Sequence, residues 1–175
     1  MINTVLESDR KFGVLLWNPI ISKSVSVGCS TEISDVVKLK DGRMNIMTQG
    51  LQRFRVVEIV KQMPYLVGKV EWLEDSAPDA EVLAVGDQVD RALREVVGLA
   101  NKLTHKDNIV PDDLPTDPIY LSFWVASLFF NSSDDRQELL ELCDTGTRLK
   151  KELSLLDTLK SELAARAAIE DAFRS

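Results

Sequence analysis

From Leu39 to Asp75 apolar and polar residues alternate along the run LKDGRMNIMTQGLQRFRVVEIVKQMPYLVGKVEWLED. A period of two marks strands with one buried face. Asp41-Gly42 sits between two such segments, the strongest short-range signature of a hairpin. Before it, Val37 and Leu39 alternate with Lys38 and Lys40; after it, Met44, Ile46 and Thr48 share a face. Gly50 interrupts the alternation and is expected to form a turn with a backbone angle other residues avoid. Phe54, Val56 and Glu58 then alternate with Arg53, Arg55 and Val57 as far as Met63-Pro64, and Tyr65 to Leu73 reads as one more strand. Upstream, Ile2, Val5 and Leu6 share a helical face, and Phe12 to Trp17 is an apolar strand closed by Asn18-Pro19. Ser24 to Leu39 is long and β-prone, and Gly28 in its interior marks a bulge or a close backbone approach. Together these make about five strands, enough for a small barrel or curled sheet.

After Pro78 the period changes to 3.6. Val82, Val85, Val89, Leu93, Val96, Val97, Ala100 and Leu103 recur at spacings of three and four, which predicts a helix of about 25 residues with Asp79 as its N-cap. A loop from Thr104 to Asp117 follows. Pro118 to Asn131 is apolar nearly all round but too short to span a bilayer, so it predicts a buried helix. Ser132 to Asp135 offers an N-cap for a helix from Arg136 to Cys143 with Leu139, Leu140 and Leu142 on its apolar face. Asp144-Thr145 opens a last helix to about Phe173, with Leu149, Leu153, Leu156, Leu163 and Ala167 on one stripe. Lys160 and Glu170 interrupt that stripe, which argues against a sustained coiled coil. The change of period predicts two subdomains, 1–75 rich in strands and 76–175 helical.

Charge follows the same division. Residues 1–75 hold 10 basic and 9 acidic side chains, and residues 76–175 hold 11 and 19. The net charge of −7 opposes a nucleic-acid module, which is normally basic. With 45% hydrophobic residues the chain of 175 can bury a sizeable core, yet it contains no apolar run long enough for a membrane span. The opening MINTVLESDRKFG has no basic n-region or apolar h-region, so a cytoplasmic location is expected, or a plastid if a targeting segment precedes Met1. Cys29 and Cys143 fall in different subdomains and read as buried reduced thiols.

Catalytic chemistry is missing from the pattern. There is no GxxxxGK[ST] phosphate loop and no GxSxG context. His105 is the single histidine, without the companions a zinc site requires, and reads as a solvated loop residue. Asp112-Asp113 and Asp134-Asp135 read as caps or solvated turns. The expectation is therefore no enzyme, no catalytic residue, no cofactor and no metal. Two features could bind a partner. Arg53 and Arg55 share a strand face opposite Phe54, where the plainer reading is a solvated face over a core Phe54. Tyr120, Phe123, Trp124, Phe129 and Phe130 concentrate aromatics in one segment, where the plainer reading is a core helix.

Several segments resemble the N-terminal, substrate-binding domain of the Lon protease, in the stand-alone form of cyanobacteria and plastid-bearing eukaryotes. They are Asp41-Gly42, Gly50-Leu51-Gln52-Arg53-Phe54-Arg55, the strand from Tyr65 to Glu74, Glu7 to Val14, and the strand around Gly28-Cys29. In the helical part Leu114-Pro115 and Leu121 to Ala126 carry the likeness. The resemblance implies an α+β fold: a small twisted PUA-like β-barrel subdomain followed by an all-α helical subdomain. It also implies a non-catalytic protein-recognition module for unfolded or exposed apolar segments, since the family's ATP hydrolysis and proteolysis belong to later domains. Leu51, Arg53, Phe54, Arg55, Tyr65 and Trp72 are the candidate protein-binding residues, with strand addition as one mode. The alternative is a scaffold or regulatory subunit docking on a protease or other complex through Tyr120, Phe123 and Trp124. RNA binding, known among PUA-like folds, is opposed by the net acidity, and no membrane partner is expected. Family members carry two further strands ahead of the helix that MINTVLES would finish. Without them the expectation is an unpaired sheet edge and self-association.

Overall fold

The alternating segments fold as an antiparallel meander in the computed structural model, which describes residues 1–19, 22–105, 114–128 and 132–174. A short helix α1 (Ile2–Leu6) leads into β1 (Lys11–Asn18), β2 (Lys23–Lys38), β3 (Met44–Lys61) and β4 (Val67–Trp72). The sheet order is β1-β2-β3-β4, so β1 and β4 are its edges among the described residues. Among the described residues the sheet has four strands, where about five, in a small barrel or curled sheet, were expected.

The missing division is at Gly50. β3 runs through it without a turn, and Gly50 pairs with Thr31 in the ladder. Among the described residues the one glycine with positive φ is Gly42, at 86°. The long β2 supplies a continuous partner, so strand pairing overrides the local signal of a glycine. The irregularity appears instead as a bulge opposite Cys29 and Thr31. Ser30 clamps it: its hydroxyl donates to Gln52 O (3.0 Å) and accepts from Gln52 N (3.2 Å).

The Asp41-Gly42 hairpin forms as expected. Leu39 N donates to Arg43 O (2.8 Å), and the Asp41 carboxylate accepts from Arg43 N (3.1 Å) and Nε (2.7 Å). Those two bonds, the backbone one foremost, hold the Asp41 carboxyl below the usual range. Gly28 lies where β1 passes closest, because a Cβ there would strike the carbonyl oxygen of Val14. Val27, Ile33, Phe54 and Leu73 are the buried apolar residues of this unit, Met1–Glu74.

The second unit, Asp75–Ser175, is helical. α2 (Ala80–Thr104) begins where Asp79 accepts a hydrogen bond from Val82 N (2.9 Å) and ends at His105, in the left-handed region (φ 52°). α3 (Pro118–Ala126) is capped by Asp117, α4 (Ser133–Glu141) by Ser132, and α5 is Thr145–Arg174. The 3.6-residue stripe of α2 buries Val85, Val89, Leu93 and Val96 against Leu121 and Val125 of α3 and Leu149 and Leu156 of α5. Each such side chain contributes about 1.5–3 kcal/mol through removal from water. Most of the loop Thr104 to Asp117, with Asp112-Asp113, and the aromatics Phe129 and Phe130 lie outside the described residues.

Candidate functional site

A groove of about 750 Å³ lies across one face of the sheet in the β-unit. Register builds it. Gly28 faces Phe54 across β2–β3, and Phe54 faces Trp72 across β3–β4. One row therefore runs from the glycine through a buried phenylalanine to an exposed tryptophan. The two rings meet edge to face, 6.3 Å apart at 87°. Gly13 on β1 makes room for the floor, because a Cβ there would stand 2.7 Å from Phe54 Cζ.

The rim is apolar and open to solvent. Trp72 is 52% exposed, and Trp17, Leu51, Leu66 and Val70 are exposed beside it. Leu51 stands out because it falls in the β3 bulge, where one strand carries more residues than its partner. Asp9 and Lys11, at one end, are the charged side chains among the described lining residues. Such a surface holds apolar groups by desolvation. No cluster of three or more His, Cys, Asp or Glu side chains could hold a metal among the described residues.

Of the six candidate binding residues, the groove brings together Leu51, Phe54 and Trp72. Arg53 and Arg55 lie off it. Arg53 is only 5% exposed, which corrects the expectation of a solvated face there, and its carbonyl accepts from Leu73 N (3.0 Å). Arg55 stays on the exposed face, 4.0 Å from Glu71. Tyr65 is half-buried in the turn before β4, which begins at Val67 and not at Tyr65. Trp17, Leu66 and Val70 were missed as site residues. The parity of Gly13, Leu15 and Trp17 along β1 is the signal that could have found the first.

In the helical unit Tyr120 projects from α3 and is 68% exposed. Phe123 is engaged under the Arg148 guanidinium, 4.1 Å from its ring centre, and Trp124 packs on the helical core. Arg148 is fully buried. It pairs with Asp75 (2.7 Å) and donates to Ser122 Oγ (2.8 Å), Leu142 O (2.7 Å) and Thr145 Oγ1 (3.3 Å). One turn on, Glu152 is fully buried with no hydrogen-bond partner for either carboxylate oxygen. Burial pushes its carboxyl up to about 9, with Arg148 opposing. Sequence reading missed this cluster because buried charges leave no trace in an apolar periodicity.

His105 caps α2 and lies 3.9 Å from Glu170. The Asp134-Asp135 pair lies in the first turn of α4, where Asp135 N donates to Oγ of the cap residue Ser132 (3.2 Å). Cys29 and Cys143 are both free and half-buried, less enclosed than expected. No helix among the described residues is long and apolar enough to cross a membrane.

The model of the ATP-dependent protease La (LON) substrate-binding domain matches residues 1–158. Lon protease 2 of Myxococcus xanthus is 28% identical over 182 residues, covering 99% of this chain and 22% of the relative. Lon protease 2 of Sorangium cellulosum is 30% identical over 142 residues, covering 79% and 18%. The chain thus spans about a fifth of the length of these relatives. Among solved structures, a Lon N-terminal domain protein from Xanthomonas campestris superposes with a TM-score of 0.61 at 23% identity, covering 87% of this chain and 80% of that one. The N-terminal domain of the Mycobacterium avium complex Lon protease gives 0.64 at 16% identity, covering 91% and 82%. At such identities the superpositions speak for the fold.

Proposed function

The chain belongs to the family of the Lon substrate-binding domain, and on that premise we propose that it is a non-catalytic module that takes up apolar-rich segments of unfolded proteins. One observation carries the reading. A groove with a buried aromatic floor at Phe54 is rimmed by exposed Trp17, Leu51, Leu66, Val70 and Trp72, a concentration of solvent-facing apolar surface that a purely structural sheet does not need. An extended segment would seat alternate side chains in the groove, and β4, a sheet edge among the described residues, offers a place for strand addition. Delivery of the bound segment to a protease is the role the family name supports.

Fluorescence anisotropy with a labelled, permanently unfolded polypeptide tests this. Binding is expected on the order of 10 µM, weakened about tenfold or more by Trp72→Ala, whose ring is the central exposed anchor. Tyr120→Ser should leave it unchanged. The alternative, docking of a protease or other complex through the helical half, keeps Tyr120 as its exposed anchor, since Phe123 and Trp124 are engaged in packing. Loss of binding with Tyr120→Ser and not with Trp72→Ala would favour that alternative and overturn the groove.

A further inference from the structure

β4 is an edge strand of sequence VGKVEW, and among the described residues no strand pairs with its outer side. Its backbone directions follow from one bond. Leu73 N donates to Arg53 O (3.0 Å), so Leu73 and Glu71 turn their peptide groups toward β3. The alternating residues Gly68, Val70 and Trp72 then turn theirs outward, as a row of unpaired donors and acceptors.

We propose that this edge pairs, antiparallel and about a two-fold axis through Val70, with β4 of a second copy of the chain. Three features of the strand select that occupant and that register. The outward-facing residues match: Val70 meets Val70 of the second copy, and Gly68 meets Trp72, so each opposed pair exchanges both backbone hydrogen bonds. The charges match as well. Lys69 of each copy falls directly opposite Glu71 of the other. Shifting the register by two residues in either direction, the smallest slip that keeps outward groups paired, sets Lys69 against Lys69 or Glu71 against Glu71.

These charges already have partners on β3, with Lys69 2.7 Å from Glu58 and Glu71 4.0 Å from Arg55. Across the joined edge the order becomes Glu58, Lys69, Glu71, Arg55, with the last two from the second copy. The signs alternate over four strands, and the two-fold axis makes two such rows. On the groove face each exposed Trp72 indole covers the bare backbone at the other copy's Gly68. The result is a continuous eight-stranded sheet. A client strand added to β4 would compete for the same edge.

Sedimentation velocity of the 175-residue chain across a range of concentrations tests the pairing. A reversible monomer–dimer equilibrium is expected. Lys69→Glu alone and Glu71→Lys alone each place like charges opposite, and each should weaken the dimer about tenfold or more. Mixing the two variants restores both opposite-charge pairs, so a heterodimer should form at wild-type concentrations. Val70→Pro, which removes an outward N–H and no bond to β3, should abolish the dimer with the circular dichroism unchanged. A wild-type chain that is monomeric throughout, single charge variants that dimerise like wild type, or a mixture that fails to restore the dimer would each overturn the proposal.

Discussion

Glu152 makes the stability of the helical unit depend on pH in the opposite sense to an ordinary paired carboxylate. Arg148 is already neutralised by Asp75, so the second acid one turn along α5 is left buried without a hydrogen bond. Desolvation raises its pKa from 4.5 to about 9. Between those values the folded carboxyl keeps a proton that the unfolded chain releases. The contribution of Glu152 is therefore fully present below 4.5, falls as pH rises through the window, and levels off above 9. The slope is about 1.4 kcal/mol per pH unit, so about 3 kcal/mol is lost between about pH 5.5 and about pH 8. Glu152→Gln removes the titration while keeping the shape. Urea unfolding followed by far-UV ellipticity, which reports the helices, should show the variant gaining about 3 kcal/mol relative to wild type over that interval. A difference between the two proteins that stays constant with pH would refute the claim that the carboxyl is held neutral.

Two further perturbations address the packing of each unit. Gly28→Ala drives a Cβ into the Val14 carbonyl and toward Phe54, so it should cost about 2 kcal/mol or more of β-unit stability by chemical denaturation. Asp75→Ala leaves the fully buried Arg148 without its carboxylate and should destabilise the helical unit by about 3–5 kcal/mol; a cost below about 1 kcal/mol would mean the pair is not closed to water.

Much of the fold was legible because it rests on periodicity and local caps. The stripe from Val82 to Leu103 gave α2, and Asp79 and Asp41-Gly42 marked boundaries that form as expected, whereas α4 begins at Ser133, three residues before Arg136. Gly50 misled because its conformation is set by pairing with Thr31 on a distant strand, which no local signal encodes. The candidate site was half legible for the same reason. Leu51, Phe54 and Trp72 could be picked as apolar residues in strands. Whether they share a face with Trp17 and Leu66 depends on register shifts at three strand pairings, of which those in β2–β3 and β3–β4 insert one residue each and flip parity. Arg53 was misplaced because the bulge beside it shifts parity, and Tyr65 because β4 begins two residues later, at Val67.

The central claim is that the sheet groove, and not the helical unit, receives unfolded protein. Amide hydrogen exchange with and without a saturating unfolded polypeptide maps that contact directly. The account predicts new protection along β4 and around Leu51 and Phe54 of β3, with α3 around Tyr120 unchanged. Protection confined to α3, with β3 and β4 exchanging as in the free chain, would contradict it.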